Sequence, residues 1–433
     1  MAVETETRLE SIHAGHHNTL YLIAALCMIF MTLALALQPL FLRLVLDLGR
    51  DNAGAVNSNI QVITELVDLL LVGYLGHLSD RFGRLPLIVW GFVISGVSAL
   101  LVPVSVEAGL LFGVGGLAIF YLARTLMSIG SMAVWALGGT LAGDFTDYHS
   151  RPRLLGRVGF MMAFGATLVY AILMQLPKHL DLRVVMLLPA VIAFAGAWLA
   201  RRHLIEVAPI EEEHTRFPFQ RIWALFRRER GLRLAFLGSF SSRNDMILIG
   251  LFLMIWFIYY SDLLPEVNHA QAASRAGLLI GFIGMVVLFT IPVWSWIIGR
   301  FGRIPAIVLG MGLSGAGFSA MSLVLNPFSP WIFLPAFLVG LGQAGCLLGP
   351  QTLTLDLAPA TIRGSVMGAF NTVGCIGIIF FLQIGGFLFD WVSPTAPFLF
   401  TGIANFLIMG YGMTVMKNTP ERGSQAVEDL DLA

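Results

Sequence analysis

The hexapeptide RFGRLP at residues 81–86 returns as RFGRIP at residues 300–305, 219 positions later. Each copy is short, basic and built around a glycine, and each lies between long apolar stretches. The same offset lays Arg124, in YLARTLMSIG, over Gln343, in GLGQAGCLLG. The chain therefore reads as two copies of one unit, joined somewhere between the hexapeptides.

Outward from these loops the chain is apolar. Of its 433 residues 57% are hydrophobic and 12% charged, against about 25% charged in a soluble domain. Such a chain cannot cover itself with polar surface in water. A bilayer-crossing helix needs about 20 largely apolar residues. That window predicts twelve spans, near 20–42, 56–77, 86–106, 112–142, 157–176, 183–200, 234–261, 276–298, 305–325, 330–355, 365–388 and 396–416. The span near 112–142 is long enough to include an interfacial turn. The expected fold is an all-α polytopic membrane protein with twelve transmembrane helices in two six-helix halves. The halves cover 20–200 and 234–416, with a linker at 201–233 and tails at 1–19 and 417–433.

The lipid bilayer is thus the first partner. With both termini cytoplasmic, the inner segments hold 19 of the 26 basic residues, and the outer loops hold Arg43, Arg50, Lys178, Arg183 and Arg275. That bias is the positive-inside pattern. The N-terminus does not read as a signal peptide, because Glu4, Glu6 and Glu10 outnumber Arg8 and the following apolar run is too long. The formal net charge is zero, and nothing points to nucleic acid. Cys27, Cys346 and Cys375 fall inside apolar runs, so neither a disulfide nor a thiolate metal site is expected. No histidine lies at mid-depth, no nucleotide-binding loop is present, and no cofactor is implied.

The linker carries Glu211, Glu212 and Glu213 and then PFQRIWALFRRERGLR. Phe219, Ile222, Trp223 and Phe226 fall on one face of a helix with arginines around it. That pattern predicts an amphipathic helix on the inner leaflet, with a partner-binding helix as the other reading.

The longer motif around the first hexapeptide is GHLSDRFGRLPL, residues 76–87. Its glycines permit a tight turn. Asp80 can sit at a helix N-terminus, where the macrodipole favours an anion. Arg81 and Arg84 offer planar forks for carboxylates on neighbouring loops, such as Asp144, Asp147 or Asp356. The bland reading of the arginines is anchoring to the inner leaflet. Gly76, Asp80, Arg81, Gly83 and Arg84 occupy the motif positions of the loop between helices 2 and 3 of the major facilitator superfamily, which this chain resembles. The second copy keeps Arg300, Gly302 and Arg303, with Gly299 in place of the acid. Arg124 matches the family's helix 4 arginine, and GDFTDYHSRPRLLG and DLAPATIRGSVMGAFNTVG resemble its loops after helices 4 and 10. The resemblance implies a latch on the cytoplasmic side, formed by Asp80, Arg81 and Arg84. It also implies a substrate cavity lined by helices 1, 4, 7 and 10. The fifth span lacks the Gly-Pro pattern of the family's drug/proton antiporters. At finer grain HHNTLYLIAAL at 16–26 and NSNIQVITELVDLLLVGYLGHLSDRFGR at 57–84 resemble the major facilitator proteins of bacterial magnetosome membranes. That likeness implies iron uptake, across a bacterial inner or magnetosome membrane.

Ionisable groups inside a span are functional hypotheses by default, because each costs roughly 2.5–3.5 kcal/mol to insert. In the second span Asn57, Gln61, Glu65 and Asp68 form one polar stripe, with Thr64 beside it. Two carboxylates one turn apart repel if both are ionised, so one must be protonated, paired with an arginine or bridged by a cation. Hard metal cations accept such oxygens, which makes Glu65 and Asp68 the candidate metal-binding pair. The alternative is a structural ion pair between helices. Arg124, with Ser128 and Ser131 on its face, can pair these acids, hold an anionic substrate, or only neutralise the second span. In the seventh span Arg243 and Asp245, two residues apart, point to opposite sides of an ideal helix. Each needs a partner on another helix, a watery cavity or a break in the helix. Gln38, Gln61, Gln343 and Asn371 are candidate pathway-lining groups, and Gln383 is a weaker one. Helix–helix hydrogen bonding is their other reading. At the repeat offset Gly284 and Val287 replace the second-span acids, so charge is asymmetric between the halves.

These features predict a secondary transporter working by alternating access, coupled to a proton or ion gradient, with iron or another metal cation as substrate. A small organic anion or drug-like solute is the alternative cargo. A non-transporting scaffold or receptor is the alternative class. An enzyme is not expected, since no nucleophile–base or cofactor constellation is present.

Overall fold

The computed structural model describes residues 13–145, 151–206, 219–359 and 362–418. The long helices are α1 (Ala14–Leu44), α2 (Ala53–Phe82), α3 (Arg84–Leu101), α4 (Gly116–Asp144), α5 (Arg151–Ala171) and α6 (Leu188–His203). They continue with α7 (Arg230–Leu248), α8 (His269–Phe301), α9 (Arg303–Met321), α10 (Phe333–Leu357), α11 (Arg363–Trp391) and α12 (Ala396–Asn418). Among the described residues 11 helical segments are long and apolar enough to cross a membrane. The twelfth spanning helix is α2. Its 30 residues reach about 45 Å at 1.5 Å per residue. Asn57, Gln61, Glu65 and Asp68 dilute its hydropathy.

The described residues form two compact units. One comprises the described residues within 1–50, 60–214 and 261–281; the other comprises those within 51–59, 215–260 and 282–433. In the first, α3 packs on α4 and α6, and α1 on α5. A Cβ on Gly91 would stand 2.6 Å from the Gly130 carbonyl oxygen, so α3 and α4 touch backbone to backbone. In the second, α9 packs on α10 and α12, and α7 on α11. Gly310 and Gly349, the repeat equivalents of Gly91 and Gly130, lie in the same kind of contact. A Cβ on Gly310 would be 2.9 Å from the Cys346 nitrogen, and one on Gly349 would be 2.7 Å from Ile307 Cγ1. Without a hydrophobic force between helices in lipid, close approach through small residues supplies the packing.

Two departures from the sequence expectations are local. The span expected from residue 112 begins at Gly116. A short helix, Ser105–Leu111, precedes it, and Gly113 turns the chain at φ +67°. Glu107 in that helix pairs with Arg183 at 2.6 Å. Its own backbone N–H and the Arg183 guanidinium hold its carboxyl below the usual range. The span expected at 234–261 starts at Arg230 and contains a π-turn, Ile249–Leu253, before the helix resumes over Met254–Tyr260. The five π-turn residues are all buried. A π-turn adds one residue to a helical turn. The run IGLFLMIWF is apolar throughout, so no polar residue marks the slip in phase.

Candidate functional site

The acids of α2 lie at mid-helix. Glu65 and Asp68 are about 18 and 22 Å from Ala53 along the axis, at 1.5 Å per residue. Asp68 is only 8% exposed. Ser128 of α4 donates to its Oδ2 at 2.7 Å, and its Oδ1 is buried with no hydrogen-bond partner among the described residues. One turn away, Gln61 Nε2 donates to Glu65 Oε1 at 3.3 Å. Arg124 of α4 is also buried. Its Nε donates to Gln38 Oε1 of α1 at 3.2 Å, and its Nη2 to Gln61 Oε1 at 3.5 Å. So Gln38, Gln61, Glu65, Asp68, Arg124 and Ser128 converge from three helices. The arginine reaches the acidic stripe through a glutamine amide, a chain Arg124–Gln61–Glu65. Ser131 turns back on its own helix, bonding the Ser128 carbonyl at 3.1 Å.

Arg243 and Asp245 of α7 diverge. Arg243 Nη1 donates to Asn371 Oδ1 of α11 at 2.6 Å. Room for it comes from Gly374, where a Cβ would collide with the Arg243 side chain. Asp245 faces α9 and α12 and is fully buried. Its Oδ2 accepts from Ser314 at 3.4 Å. Asn405 Nδ2 donates to Ser314 Oγ at 3.1 Å, and Ser241 donates to Asn405 Oδ1 at 2.5 Å. Asp245 Oδ1, both polar atoms of the Asn244 amide, and Gln343 Oε1 are buried without hydrogen-bond partners among the described residues. The structure therefore separates Arg243 from Asp245 and does not bring Asp245 to Asn371. Sequence reading missed Ser314 and Asn405, because a lone serine or asparagine in an apolar span gives no signal of what it meets.

The two hexapeptide loops share one backbone device. Gly83 has φ 86° and ψ 158°, and Gly302 has φ 94° and ψ 172°. Only glycine occupies this region without strain. Glu206, after α6, accepts from the Leu85 amide at 2.7 Å and so places a carboxylate at the N-terminus of α3. A Cβ on Gly83 would stand 2.8 Å from Glu206 Oε2. Gly83→Ala is therefore expected to cost about 1–3 kcal/mol, read as a lowered thermal midpoint of the purified protein. An unchanged midpoint would show that the turn relaxes freely. Glu206 was not among the carboxylates expected near this loop. In the second copy Arg303 pairs with Asp356 at 2.6 Å, one of the acids considered for Arg81 and Arg84. The side chains of Gly76, Asp80, Arg81 and Asp144 lie outside the described residues, as does Asp147 altogether. Arg300 is exposed.

Two further polar contacts were not foreseen. Asp390 of α11 accepts from the Gly54 and Ala55 amides, both at 2.7 Å, at the start of α2. Arg43, at the end of α1, donates to both oxygens of Asp262 at 3.2 and 3.1 Å. These two residues are 219 positions apart and hence equivalent in the repeat.

The Major Facilitator Superfamily profile matches residues 19–382 and 246–429. The magnetosome protein MamH of Paramagnetospirillum magneticum is 51% identical over 418 residues, covering 96% of each chain. The magnetosome protein MamZ of the same organism is 37% identical over 93% of this chain, and this chain spans 63% of MamZ. The inward-open xylose transporter XylE of E. coli superposes with a TM-score of 0.71 at 16% identity, over 95% of this chain and 98% of XylE; that likeness is one of fold. With twelve spanning helices, a repeated glycine-centred loop and these relatives, the chain belongs to the Major Facilitator Superfamily of membrane transporters.

Proposed function

We propose that this transporter works by alternating access and carries a metal cation, iron first, with coupling to a proton or ion gradient. The observation that carries the reading is Asp68, whose Oδ1 is buried at mid-helix with no hydrogen-bond partner among the described residues. Arg124 brings one positive charge to two acids, so the remaining negative charge calls for a cation or a proton, since a buried uncompensated charge is strongly disfavoured. Glu65, one turn away, and the Ser128 hydroxyl add oxygen donors of the kind that hard cations accept.

In this reading Arg124 is the internal competitor. While Gln38 and Gln61 hold its guanidinium, the Asp68 carboxylate can take up the cargo. Once the cargo leaves, a proton on one acid and the arginine beside the other let the empty carrier return without a net buried charge. Resemblance to MamH and MamZ, both named as magnetosome proteins, supports a place in a bacterial inner or magnetosome membrane, and the bias of basic residues toward the inner segments supports cytoplasmic termini.

The test is uptake of radiolabelled ferrous iron into proteoliposomes holding the full chain, with and without an imposed pH gradient. Saturable uptake that rises with the gradient is expected. Absence of a saturable signal would overturn the cation reading and favour a small organic anion as the cargo.

A further inference from the structure

The helix Phe219–Arg228 in the linker packs one face on the protein. Ile222 is buried with Leu232 and Phe236 of α7, with Ala358, and with Val366 and Phe370 of α11; Leu225 and Phe226 lie against the same cluster. The remaining surface divides into two flanks. On one, Phe219 is 66% and Trp223 46% exposed. Trp223 stacks on Phe226 at 5.7 Å, Phe226 meets Phe236 at 5.6 Å, and Phe236 meets Phe370 at 6.0 Å. On the other flank Arg221 and Arg228 border a cleft with Pro359 and Ile362.

The direction of each flank follows from its neighbours. Phe236 lies in the second turn of α7, inside the span Arg230–Leu263. Pro359 and Ile362 lie between α10 and α11, beyond the ends of both. The ladder of rings from Trp223 to Phe236 therefore runs from the exposed face of the helix to the buried start of the α7 span, which sets Trp223 level with the end of that span, while the Arg221–Arg228 flank faces the connection between α10 and α11. Arg227 projects beside the aromatic flank, its guanidinium 5.1 Å from the centre of the Trp223 ring. A cation seated on an indole at the edge of a bilayer is at headgroup height, with its carbon stem on apolar surface.

We propose that this helix is a docking surface for anionic phospholipid in the leaflet on the linker side. Phe219 and Trp223 enter the boundary between headgroups and acyl chains, and Arg227 binds lipid phosphate. Charge complementarity selects the lipid. Between residues 219 and 230 the chain carries Arg221, Arg227, Arg228 and Arg230 against Glu229 alone. A net positive helix lying flat on a bilayer is attracted by a negative surface potential and gains nothing comparable from zwitterionic headgroups. Because the core face of the same helix grips α7 and α11, lipid bound here is mechanically continuous with the spans that carry Arg243 and Asn371.

The experiment uses the full chain in bilayer nanodiscs doped with phospholipid brominated in its acyl chains. The difference in emission between the wild type and Trp223→Phe isolates Trp223 from the other tryptophans. That component is expected to be quenched by brominated phosphatidylglycerol at a lower mole fraction than by brominated phosphatidylcholine. Substituting Arg221, Arg227 and Arg228 by Gln is expected to erase the preference, with Arg227 alone lowering it about fivefold. The same three positions changed to Lys keep the charge and should keep the preference, which separates lost attraction from lost folding. Inorganic phosphate should not relieve the quenching. The proposal falls if Trp223 is quenched by neither lipid or equally by both. It falls too if the Gln variant keeps the preference, or if free phosphate displaces the lipid.

Discussion

Asp68→Asn is expected to lower transport by about 10–100-fold, the effect of losing a hydrogen-bonded charged group, while the protein still inserts and purifies in normal amount. Asn keeps the size of the side chain and can still accept from Ser128, so packing between α2 and α4 is preserved. The negative charge is lost, and with it the demand for a cation at the partnerless Oδ1. Glu65→Gln should act in the same direction and more weakly, because its side chain is less enclosed. Flux into proteoliposomes, normalised to inserted protein, reads both. Full flux in Asp68→Asn would remove the acid stripe from the transport cycle. A phenotype retained in cells without any measurable flux would instead favour a scaffold that keeps the fold.

Arg124→Leu is the second large effect, and it falls on stability as well as flux. The guanidinium is buried and bonds both Gln38 and Gln61. Its removal leaves two carboxylates near mid-helix without a nearby buried cation, and it leaves two glutamine oxygens short of a donor. Breaking a buried charge arrangement on one side costs about 3–5 kcal/mol, which should appear as a much lower thermal midpoint and poor yield. Arg124→Lys keeps the charge but not the fork, and should recover part of the midpoint. The decisive comparison is the double change Arg124→Leu with Asp68→Asn. If the two residues compensate one another, the double variant is more stable than Arg124→Leu alone. Strict additivity would mean that Arg124 serves only its glutamines.

The spans were legible because lipid imposes one rule everywhere: a long apolar run, closed on itself by helical hydrogen bonds. The repeat was legible from one hexapeptide, and its glycine predicted a turn that both Gly83 and Gly302 make. The stripe on α2 was legible because 3.6-residue spacing places Asn57, Gln61, Glu65 and Asp68 on one side before any neighbour is known. What faces that side was not. A helix that is apolar all round carries no mark of its rotation. Hence Ser128 could be placed with Arg124 but not assigned to Asp68, and Asp245 could be said to need a partner without Ser314 or Asn405 being named. Glu206 was missed for another reason. It lies 121 residues from the amide it caps, and nothing in the intervening chain fixes that distance. The π-turn in the seventh span escaped notice because a phase slip shows only where polar residues report the phase.

The contact between Arg43 and Asp262 bears on how such a chain could have arisen. The two positions correspond under the duplication, yet they carry opposite charges and grip each other. An ancestor with identical copies would have set arginine against arginine here, or aspartate against aspartate, and either pairing repels. This ion pair therefore requires that the copies had already diverged. Exchanging one half for a second copy of the other would undo it.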